Sequence, residues 1–212
     1  SMSLVPTMGY KTALNFDIAQ KTPDYYIGMG LTAEQVAQKY QISREDQDAF
    51  AYRSQQRAAF AINEGLLAAE IMPAGSLLID EQPRSDTTLE KLSSLKSITG
   101  EIGSITAGNA SSLNDGSAVL LLASAKAVEQ YGLIPRARIS GMASAGVQPK
   151  IMGYGPVPAI EKLLAKNKMS FKEIDRLEIN EAFAAQVLCV SRTLGLAEDA
   201  DMQNNHGGAF AY

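Results

Sequence analysis

Cysteine, histidine and tryptophan are nearly missing from this sequence, whose 212 residues include one cysteine, one histidine and no tryptophan. A single cysteine cannot form an intramolecular disulfide, which is typical of proteins in a reducing compartment, so we expect a cytoplasmic location. One cysteine and one histidine also supply too few side chains for a zinc site or a Ser-His-Asp site. The scarcity therefore predicts a protein without a bound metal.

Long apolar runs and an excess of positive charge are missing as well. The formal net charge is −4, whereas nucleic-acid-binding domains usually carry a basic footprint. No apolar run has the length of a membrane span, and residues 1–3 have no signal-peptide character. We expect no nucleic-acid partner and no membrane span, and an anionic ligand would need a local cationic patch.

The sequence has the composition of an ordinary globular protein, with 46% hydrophobic and 20% charged residues. Residues 1–31 show no sustained period and predict an extended loop, and helix signals begin at Thr32. Three helices are predicted from capping patterns: 33–40 after Thr32, 44–64 between Ser43 and Gly65, and a short helix after Thr87 that ends near 95. Between them, residues 69–80 suggest two short strands around a glycine turn.

The pattern changes after about residue 103, where we place a domain boundary. Apolar runs that predict strands alternate from residue 117 onward with amphipathic runs that predict helices. The predicted strands are 117–122, 137–142, 176–179 and 206–212, and the predicted helices are 123–131, 158–166 and 181–194. Such alternation is typical of an α/β layered sheet with crossover helices.

Residues 180–186 (Asn-Glu-Ala-Phe-Ala-Ala-Gln) follow a predicted strand and open a predicted helix. Ligands gather at this edge of an open α/β sheet, at the carboxyl ends of the strands. The Asn180 carboxamide can cap the helix, or it can donate to a substrate oxygen. Phe183 can line an acyl pocket or belong to the core. The residues alone leave both pairs of interpretations open.

A run of small residues, 104–117, forms a second candidate site. Without large side chains, a flat and extended ligand can lie against its backbone, although a tight crossing of strand and loop explains the run equally well. The loop at 152–159 (Met-Gly-Tyr-Gly-Pro-Val-Pro-Ala) lacks the third glycine of a dinucleotide-binding fingerprint. It therefore gives weak evidence by itself.

Together with residues 204–210 (Asn-Asn-His-Gly-Gly-Ala-Phe), these stretches resemble the thiolase superfamily over essentially the whole chain. Members make or break carbon–carbon bonds next to coenzyme A thioesters. The resemblance implies a partial αβαβα layered fold with an α+β loop domain on its N-terminal side. It divides the chain into a coenzyme A-binding loop domain at 1–103, the end of the N-terminal half at 104–134, and the first part of the C-terminal half at 135–212.

The resemblance also implies roles for individual residues. Asn180 would hold a water in the oxyanion hole, and Glu181 would be its buried orienting partner. The residues implied to contact coenzyme A or the acyl chain are Met29, Arg84, Ala107, Ser111, Met152, Ala182 and Phe183. Lys91 and Lys96 lie near Arg84 in sequence but fit a solvated helix face equally well. Thr99 stands where relatives often have an aromatic residue that packs on the ligand.

Cys189 lies among apolar residues in the middle of a predicted helix, which predicts an inert core thiol rather than a nucleophile. In the family, the nucleophilic cysteine belongs to an upstream segment, and the catalytic histidine and a second cysteine belong to downstream segments. This sequence contains none of the three. We expect His206 to make structural hydrogen bonds only.

The resemblance thus implies a parent acetyl-CoA C-acyltransferase that cleaves 3-ketoacyl-CoA in fatty-acid β-oxidation, with this chain alone inactive. Coenzyme A would be a substrate, no cofactor would be permanently bound, and the intact protein would be a homo-dimer or homo-tetramer. Gly28, where biosynthetic relatives often have histidine, favours the degradative type. The alternatives are a biosynthetic acetoacetyl-CoA thiolase, a non-catalytic coenzyme A-binding relative, and an interaction module without a coenzyme A site.

Overall fold

The computed structural model describes residues 14–197 and 199–211, in which helices are the main regular structure. The α-helices are α1 (Phe16–Lys21), α2 (Met29–Lys39), α3 (Arg44–Asn63), α4 (Leu89–Ser93), α5 (Ala125–Tyr131), α6 (Pro156–Asn167) and α7 (Ala184–Thr193). Short 3₁₀ segments occupy Pro23–Tyr26, Pro149–Tyr154 and Phe171–Glu173. The prediction that no signal peptide is present rests on residues 1–3, which lie outside the described residues.

Local capping patterns set the ends of the longer helices. The Ser43 hydroxyl accepts a hydrogen bond from the Asp46 N–H at 3.0 Å, and the Asp46 carboxylate accepts one from the Ser43 N–H at 3.1 Å. This reciprocal pair confirms the predicted start of α3. Gly65 follows the helix with φ +66°, a conformation that glycine adopts without strain.

Two predicted helix starts are wrong, and the loop predicted at 1–31 contains α1 and the start of α2. Thr32 lies inside α2, where its hydroxyl donates to the Met29 carbonyl at 2.7 Å. The helix begins at Met29, because the Gly28 carbonyl accepts from the Thr32 N–H. The cap of α4 is Thr88 rather than Thr87, and its side chain accepts from the Lys91 N–H at 3.2 Å.

The predicted strands do not form within residues 14–197 and 199–211, where backbone pairing is limited to isolated bridges. Residues 69–80 contain only a tight turn closed between Ala74 and Leu77. Residues 117–122 have no regular secondary structure and no backbone pairing, with Val119 90% and Leu120 87% exposed. A strand needs a neighbour to accept and donate its hydrogen bonds, and the described residues supply none to this run. The same holds for 137–142.

The last two predicted strands are reduced to single bridges. Leu177 pairs in parallel with Gln203, and Asn205 pairs with Gly207 within a turn. The alternating apolar pattern in these segments therefore marks residues that face the core without a ladder. Residue 212 lies outside the described part of the chain.

The core forms around α7, in which every residue from Ala184 to Ser191 is buried. The helix packs against α2, α3 and the 3₁₀ segment Pro149–Tyr154. Phe50 of α3 meets Phe210 edge to face, with ring centroids 6.0 Å apart. This packing fixes the N-terminal end of α7, and with it the residues just before the helix.

No helix within residues 14–197 and 199–211 is both long enough and apolar enough to cross a membrane. The largest exposed apolar run is 119–122, which lies outside any helix.

Candidate functional site

Two segments about seventy residues apart in sequence meet at the N-terminal end of α7. The Ser111 N–H donates to the Ala182 carbonyl at 2.9 Å, and the Ala184 N–H donates to the Asn109 carbonyl at 2.9 Å. Between these two bonds, Ala110 and Phe183 form an antiparallel bridge. The small-residue run and the segment before α7 are therefore held side by side by their backbones.

Asn180 lies on the exposed side of this junction. It does not cap α7, because the residue before the helix is Phe183 and the first helical N–H is taken by the Asn109 carbonyl. The interpretation of Asn180 as a helix cap is therefore wrong. Within residues 14–197 and 199–211 its carboxamide has no hydrogen-bond partner, and the residue is exposed.

Glu181, the next residue, points the opposite way and is 1% exposed. One carboxylate oxygen accepts from the Ser54 hydroxyl at 2.7 Å and from the Phe210 N–H at 3.4 Å. The other accepts from the Asn204 carboxamide at 3.0 Å. Burial raises the pKa of Glu181 above its ordinary value, although these donors act in the opposite direction.

Gly208 allows the backbone to pass directly over this carboxylate. A Cβ atom at that position would clash with the Glu181 carboxyl group. The Gly208 N–H also donates to the Ser54 hydroxyl at 3.1 Å, and that hydroxyl in turn donates to Glu181. The glycine in the motif at 204–210 thus has a packing reason at this position.

The small-residue run is anchored on α3 through Asn109, which is fully buried. Its carboxamide donates to the Asp48 carboxylate at 3.0 Å and to the Ser104 carbonyl at 3.1 Å, and accepts from the Thr106 N–H at 2.8 Å. Asp48 is itself paired with Arg44 at 2.7 Å. The run is therefore held in one conformation rather than left as a free loop.

Few sequence patterns indicate these anchoring residues. Four polar residues of α3 are buried, and three of them, Gln47, Asp48 and Ser54, reach the two site segments. The available signal was the helical spacing of Ser54 with Phe50, Ala58 and Ala61, a stripe of apolar or small residues, since a polar residue on such a stripe needs a partner. Asn204 had no comparable signal.

Gln55 links the segment that carries Arg84 to the same region. Its carboxamide oxygen accepts from the Arg84 N–H at 2.8 Å, and its NH₂ group donates to the Phe210 carbonyl at 2.6 Å. The Arg84 side chain is exposed. Nearby, the Lys91 ammonium is bonded to Asp86 at 2.5 Å, which fits the interpretation of Lys91 as a solvated surface residue.

The two methionines that are predicted to contact the ligand lie on elements that pack beside α7. Met29 begins α2 and is 49% exposed, and Met152 lies in the 3₁₀ segment Pro149–Tyr154 and is 48% exposed. Gly153 allows that segment to approach α7, because a Cβ atom there would lie 2.9 Å from the Gln186 side chain. Ala107 is exposed on the small-residue run, and Ser111 is half-buried.

Two surface cavities lie elsewhere. One of about 430 Å³ is lined by residues that include Glu34, Arg44 and Ser104, and one of about 250 Å³ by residues that include Ile62, Ile79 and Pro83. Neither is lined by the predicted site residues. At the α7 end, Asn180 and Ala107 are exposed.

Cys189 is fully buried, and burial raises the pKa of its thiol to about 11. A thiol with such a pKa is protonated at neutral pH and is a poor nucleophile. His206 is half-buried. In the part of the chain that the structure describes, no group of three or more His, Cys, Asp or Glu side chains could hold a metal ion.

Comparisons with known proteins cover the whole chain. Residues 7–126 match the family model described as the thiolase N-terminal domain, and residues 133–212 match the one described as the thiolase C-terminal domain. The chain is 48% identical over its full length to the β-ketoadipyl-CoA thiolase of Pseudomonas aeruginosa. It is 42% identical, again over its full length, to the 3-ketoacyl-CoA thiolase of Bacillus subtilis.

A solved structure is similar over the same extent. The acetyl-CoA acetyltransferase of Bacillus anthracis is 41% identical and superposes with a TM-score of 0.82 over 100% of this chain. The likeness confirms the predicted α/β fold class, in a form rich in helix and with few strand pairings among the described residues. The chain spans 59% and 58% of the two sequence relatives and 57% of the solved chain.

Proposed function

This chain belongs to the thiolase family, and from that premise we propose that it forms part of an acyltransferase that cleaves 3-ketoacyl-CoA with free coenzyme A. In this proposal Asn180 holds the water that stabilises the thioester oxyanion, and Glu181 orients the segment around it. Ser111, Ala107, Ala182 and Phe183 form the surface for the pantetheine arm and acyl group. Met29, Met152 and Arg84 lie around it, with Arg84 toward the anionic end of coenzyme A.

One observation carries the proposal: the backbone bonds that join residues 109–111 to 182–184. They place Asn180, whose carboxamide has no partner in the described residues, beside a run with almost no side-chain bulk. An extended thioester lying on that run would bring its carbonyl oxygen near an amide donor. Removal of one such donor raises the reaction barrier by about 2.7–4 kcal/mol.

We also propose that the 212 residues alone do not turn over substrate. Thiolysis in this family proceeds through a cysteine thiolate that attacks the 3-keto carbon. The C2–C3 bond breaks, acetyl-CoA leaves as its carbanion and is protonated, and the acyl group then passes from the cysteine to coenzyme A. The sequence holds one cysteine, and Cys189 is buried with a raised pKa. The chain therefore supplies the oxyanion and coenzyme A surfaces but no nucleophile.

The first experiment is isothermal titration calorimetry of the purified chain with coenzyme A. We expect saturable binding that is lost in Ser111→Leu, which fills the small-residue run, and weakened in Arg84→Ala. Ser76→Leu and Arg136→Ala are matched controls, because both residues are exposed and lie away from the junction. Equal binding by Ser111→Leu and Ser76→Leu would overturn the placement of the pantetheine arm.

The second experiment measures thiolysis of acetoacetyl-CoA and β-ketoadipyl-CoA. We expect no turnover by the chain alone, and turnover above background would contradict the proposed lack of a nucleophile. β-Ketoadipyl-CoA is included because the relative from Pseudomonas aeruginosa is named for it. The protein encoded by a complete coding region, with the cysteine and histidine segments, should cleave one of these substrates. A non-catalytic relative should cleave neither.

We further propose that the intact protein acts in fatty-acid β-oxidation and lies in the cytoplasm. In the same proposal it forms a homo-dimer or a homo-tetramer. The exposed apolar run at 119–122 supports an assembly, because exposed apolar patches of this kind usually mark an interaction surface. Sedimentation of the chain at increasing concentration tests self-association. A monomer at all concentrations would remove that support.

A further inference from the structure

We propose that Asn204 is the positioning residue for Asn180: its carboxamide binds the Ile179 backbone and the Glu181 side chain, the residues on either side of Asn180, and so fixes the direction in which the Asn180 side chain points. The inference deepens the proposed function and, for its effect on a thioester, rests on it. The geometric part stands independently, on hydrogen bonds within the described residues.

A short parallel pairing leads up to Asn180. The Leu177 N–H donates to the Met202 carbonyl at 2.9 Å, and the Asn204 N–H donates to the Leu177 carbonyl at 3.0 Å. In a regular parallel ladder, the next bonds would join the Ile179 backbone to the backbone at and beyond position 204. Here the pairing of main chain with main chain stops at Leu177.

At Ile179 the Asn204 side chain, rather than the main chain, makes the hydrogen bonds. Its carboxamide oxygen accepts from the Ile179 N–H at 2.9 Å, and its NH₂ group donates to the Ile179 carbonyl at 2.8 Å. The side-chain amide thereby makes both bonds that a neighbouring strand would make. The φ angle of Asn204 is +42°, a left-handed conformation that asparagine tolerates better than most residues, and it turns the main chain away while the side chain stays in register.

The same NH₂ group also reaches past Asn180. It donates to the Glu181 carboxylate at 3.0 Å, and Asn204 is only 3% exposed. Residues 179 and 181 are thus both tied to one buried side chain, whereas the residue between them has no bond of its own in the described part of the chain. The orientation of the Asn180 carboxamide then depends on the backbone that Asn204 holds.

This arrangement explains why an exposed donor can be held ready for a ligand. A donor aimed at developing charge must be oriented before the charge appears, since reorganisation at that moment costs free energy. Bonds from Asn180 itself to the protein would occupy its N–H groups. Fixing its two neighbours orients the residue and leaves those groups available.

The test begins without ligand, with Asn204→Ala, Asn204→Asp and the matched control Asn205→Ala. Hydrogen exchange of the Ile179 amide should accelerate on the order of tenfold in Asn204→Ala, the size expected for loss of one net hydrogen bond. Asn204→Asp keeps an acceptor for that amide and should retain most of the protection. The buried amides of α7 and the Ile179 amide of Asn205→Ala should exchange as in the wild type.

The second arm uses acetyl-CoA labelled with ¹³C at the thioester carbonyl and records its infrared stretch when bound. In the wild type we expect a shift to lower frequency, caused by donation to the carbonyl oxygen. The shift should be lost in Asn180→Ala and in Asn204→Ala, and kept in Asn205→Ala. Affinity for acetyl-CoA should change little in Asn204→Ala, because the small-residue run remains in place.

The two arms separate failure of the inference from failure of the proposed function. A wild-type shift that persists in Asn204→Ala overturns the positioning role even if coenzyme A chemistry is correct. Absence of any acetyl-CoA binding in the wild type refutes the proposed function, and the exchange measurement then decides the geometric part alone. Loss of the folded state in both Asn204 variants, with Asn205→Ala folded, would assign residue 204 to global stability and also overturn the inference.

Discussion

Glu34 and Glu181 are two buried carboxylates in different regions, and their pKa values shift in opposite directions. Glu34 of α2 is 7% exposed and holds the loop that leads into the small-residue run. Glu181 is 1% exposed and lies beneath Asn180. Burial opposes the ionisation of both groups, yet the pKa of Glu34 is lowered and the pKa of Glu181 is raised.

The difference lies in the balance between burial, which is more complete for Glu181, and the hydrogen-bond donors. The Glu34 carboxylate accepts four hydrogen bonds no longer than 2.9 Å, from the Thr99 hydroxyl, the Ser104 N–H and hydroxyl, and the Ile105 N–H. Glu181 accepts three, one of them at 3.4 Å. Hydrogen bonds to the charged form favour ionisation, so four short ones outweigh burial and three weaker ones do not.

The consequence is a division of tasks between the two regions. The loop at 97–106 gains stability from an ionised carboxylate that its own backbone surrounds. The segment at 180–181 carries a carboxylate whose charge costs stability. Buried ionisable groups whose charge lowers local stability are common at functional sites. Three substitutions can break or sharpen this comparison.

Glu34→Gln should have the largest effect. Glutamine keeps one acceptor oxygen but removes the charge that strengthens all four bonds, and it turns an NH₂ group toward the Ser104 hydroxyl. We expect a loss of about 3 kcal/mol in the free energy of unfolding at neutral pH, measured by urea denaturation. Glu70→Gln, at an exposed position, is the matched control and should change stability little.

The same variant has a defined pH dependence. Because the folded pKa of Glu34 lies below its unfolded value of about 4.3, the carboxylate contributes stability that is fully present above that pH. The contribution is lost as the pH falls through the folded pKa, so wild type and Glu34→Gln should converge in acid. A difference that stays constant from neutral pH to acid would contradict the assignment.

Gly208→Ala should have an intermediate effect and acts on the other region. The new methyl group would clash with the Glu181 carboxyl, and the backbone at 208 also donates to Ser54. Overpacking of this kind costs about 2 kcal/mol, which urea denaturation would detect. Gly116→Ala is the control, since a Cβ atom there has no neighbour within 4 Å. Equal stability of the two variants would argue against close packing over Glu181.

Features that depend on near neighbours in sequence were predictable. The cap at Ser43 and the stop at Gly65 follow from the chemistry of residues within a few positions, and both are found. Residues 117–122 show the opposite case. Their apolar pattern correctly indicates residues suited to a buried strand, but a strand exists only when another segment pairs with it, and no such segment lies in the described residues.

The site was predictable only in part for the same reason. The family resemblance singled out Asn180 and Ser111, and the backbone bonds show that their segments adjoin. Their roles remain predictions. The residues that hold those segments, Asn109 and Asn204, were not found, because an isolated asparagine in a polar stretch usually faces water. Their burial results from contacts with Asp48 and Glu181 that are distant in sequence.

Glu181→Gln should have the smallest effect at neutral pH, a loss of about 1 kcal/mol in the free energy of unfolding, because removal of a costly buried charge offsets the loss of its acceptors.

The pH dependence of the Glu181 contribution to stability has the opposite sign to that of Glu34. The folded pKa of Glu181 lies above its unfolded value of about 4.3, so the folded state binds the proton more tightly. As the pH falls through that folded pKa toward 4.3, wild type should gain stability relative to Glu181→Gln. Urea denaturation over this range measures the gain, with Glu161→Gln, exposed on α6, as the control. A relative loss of wild-type stability over the same range would place Glu181 with Glu34 and remove the distinction between the two regions.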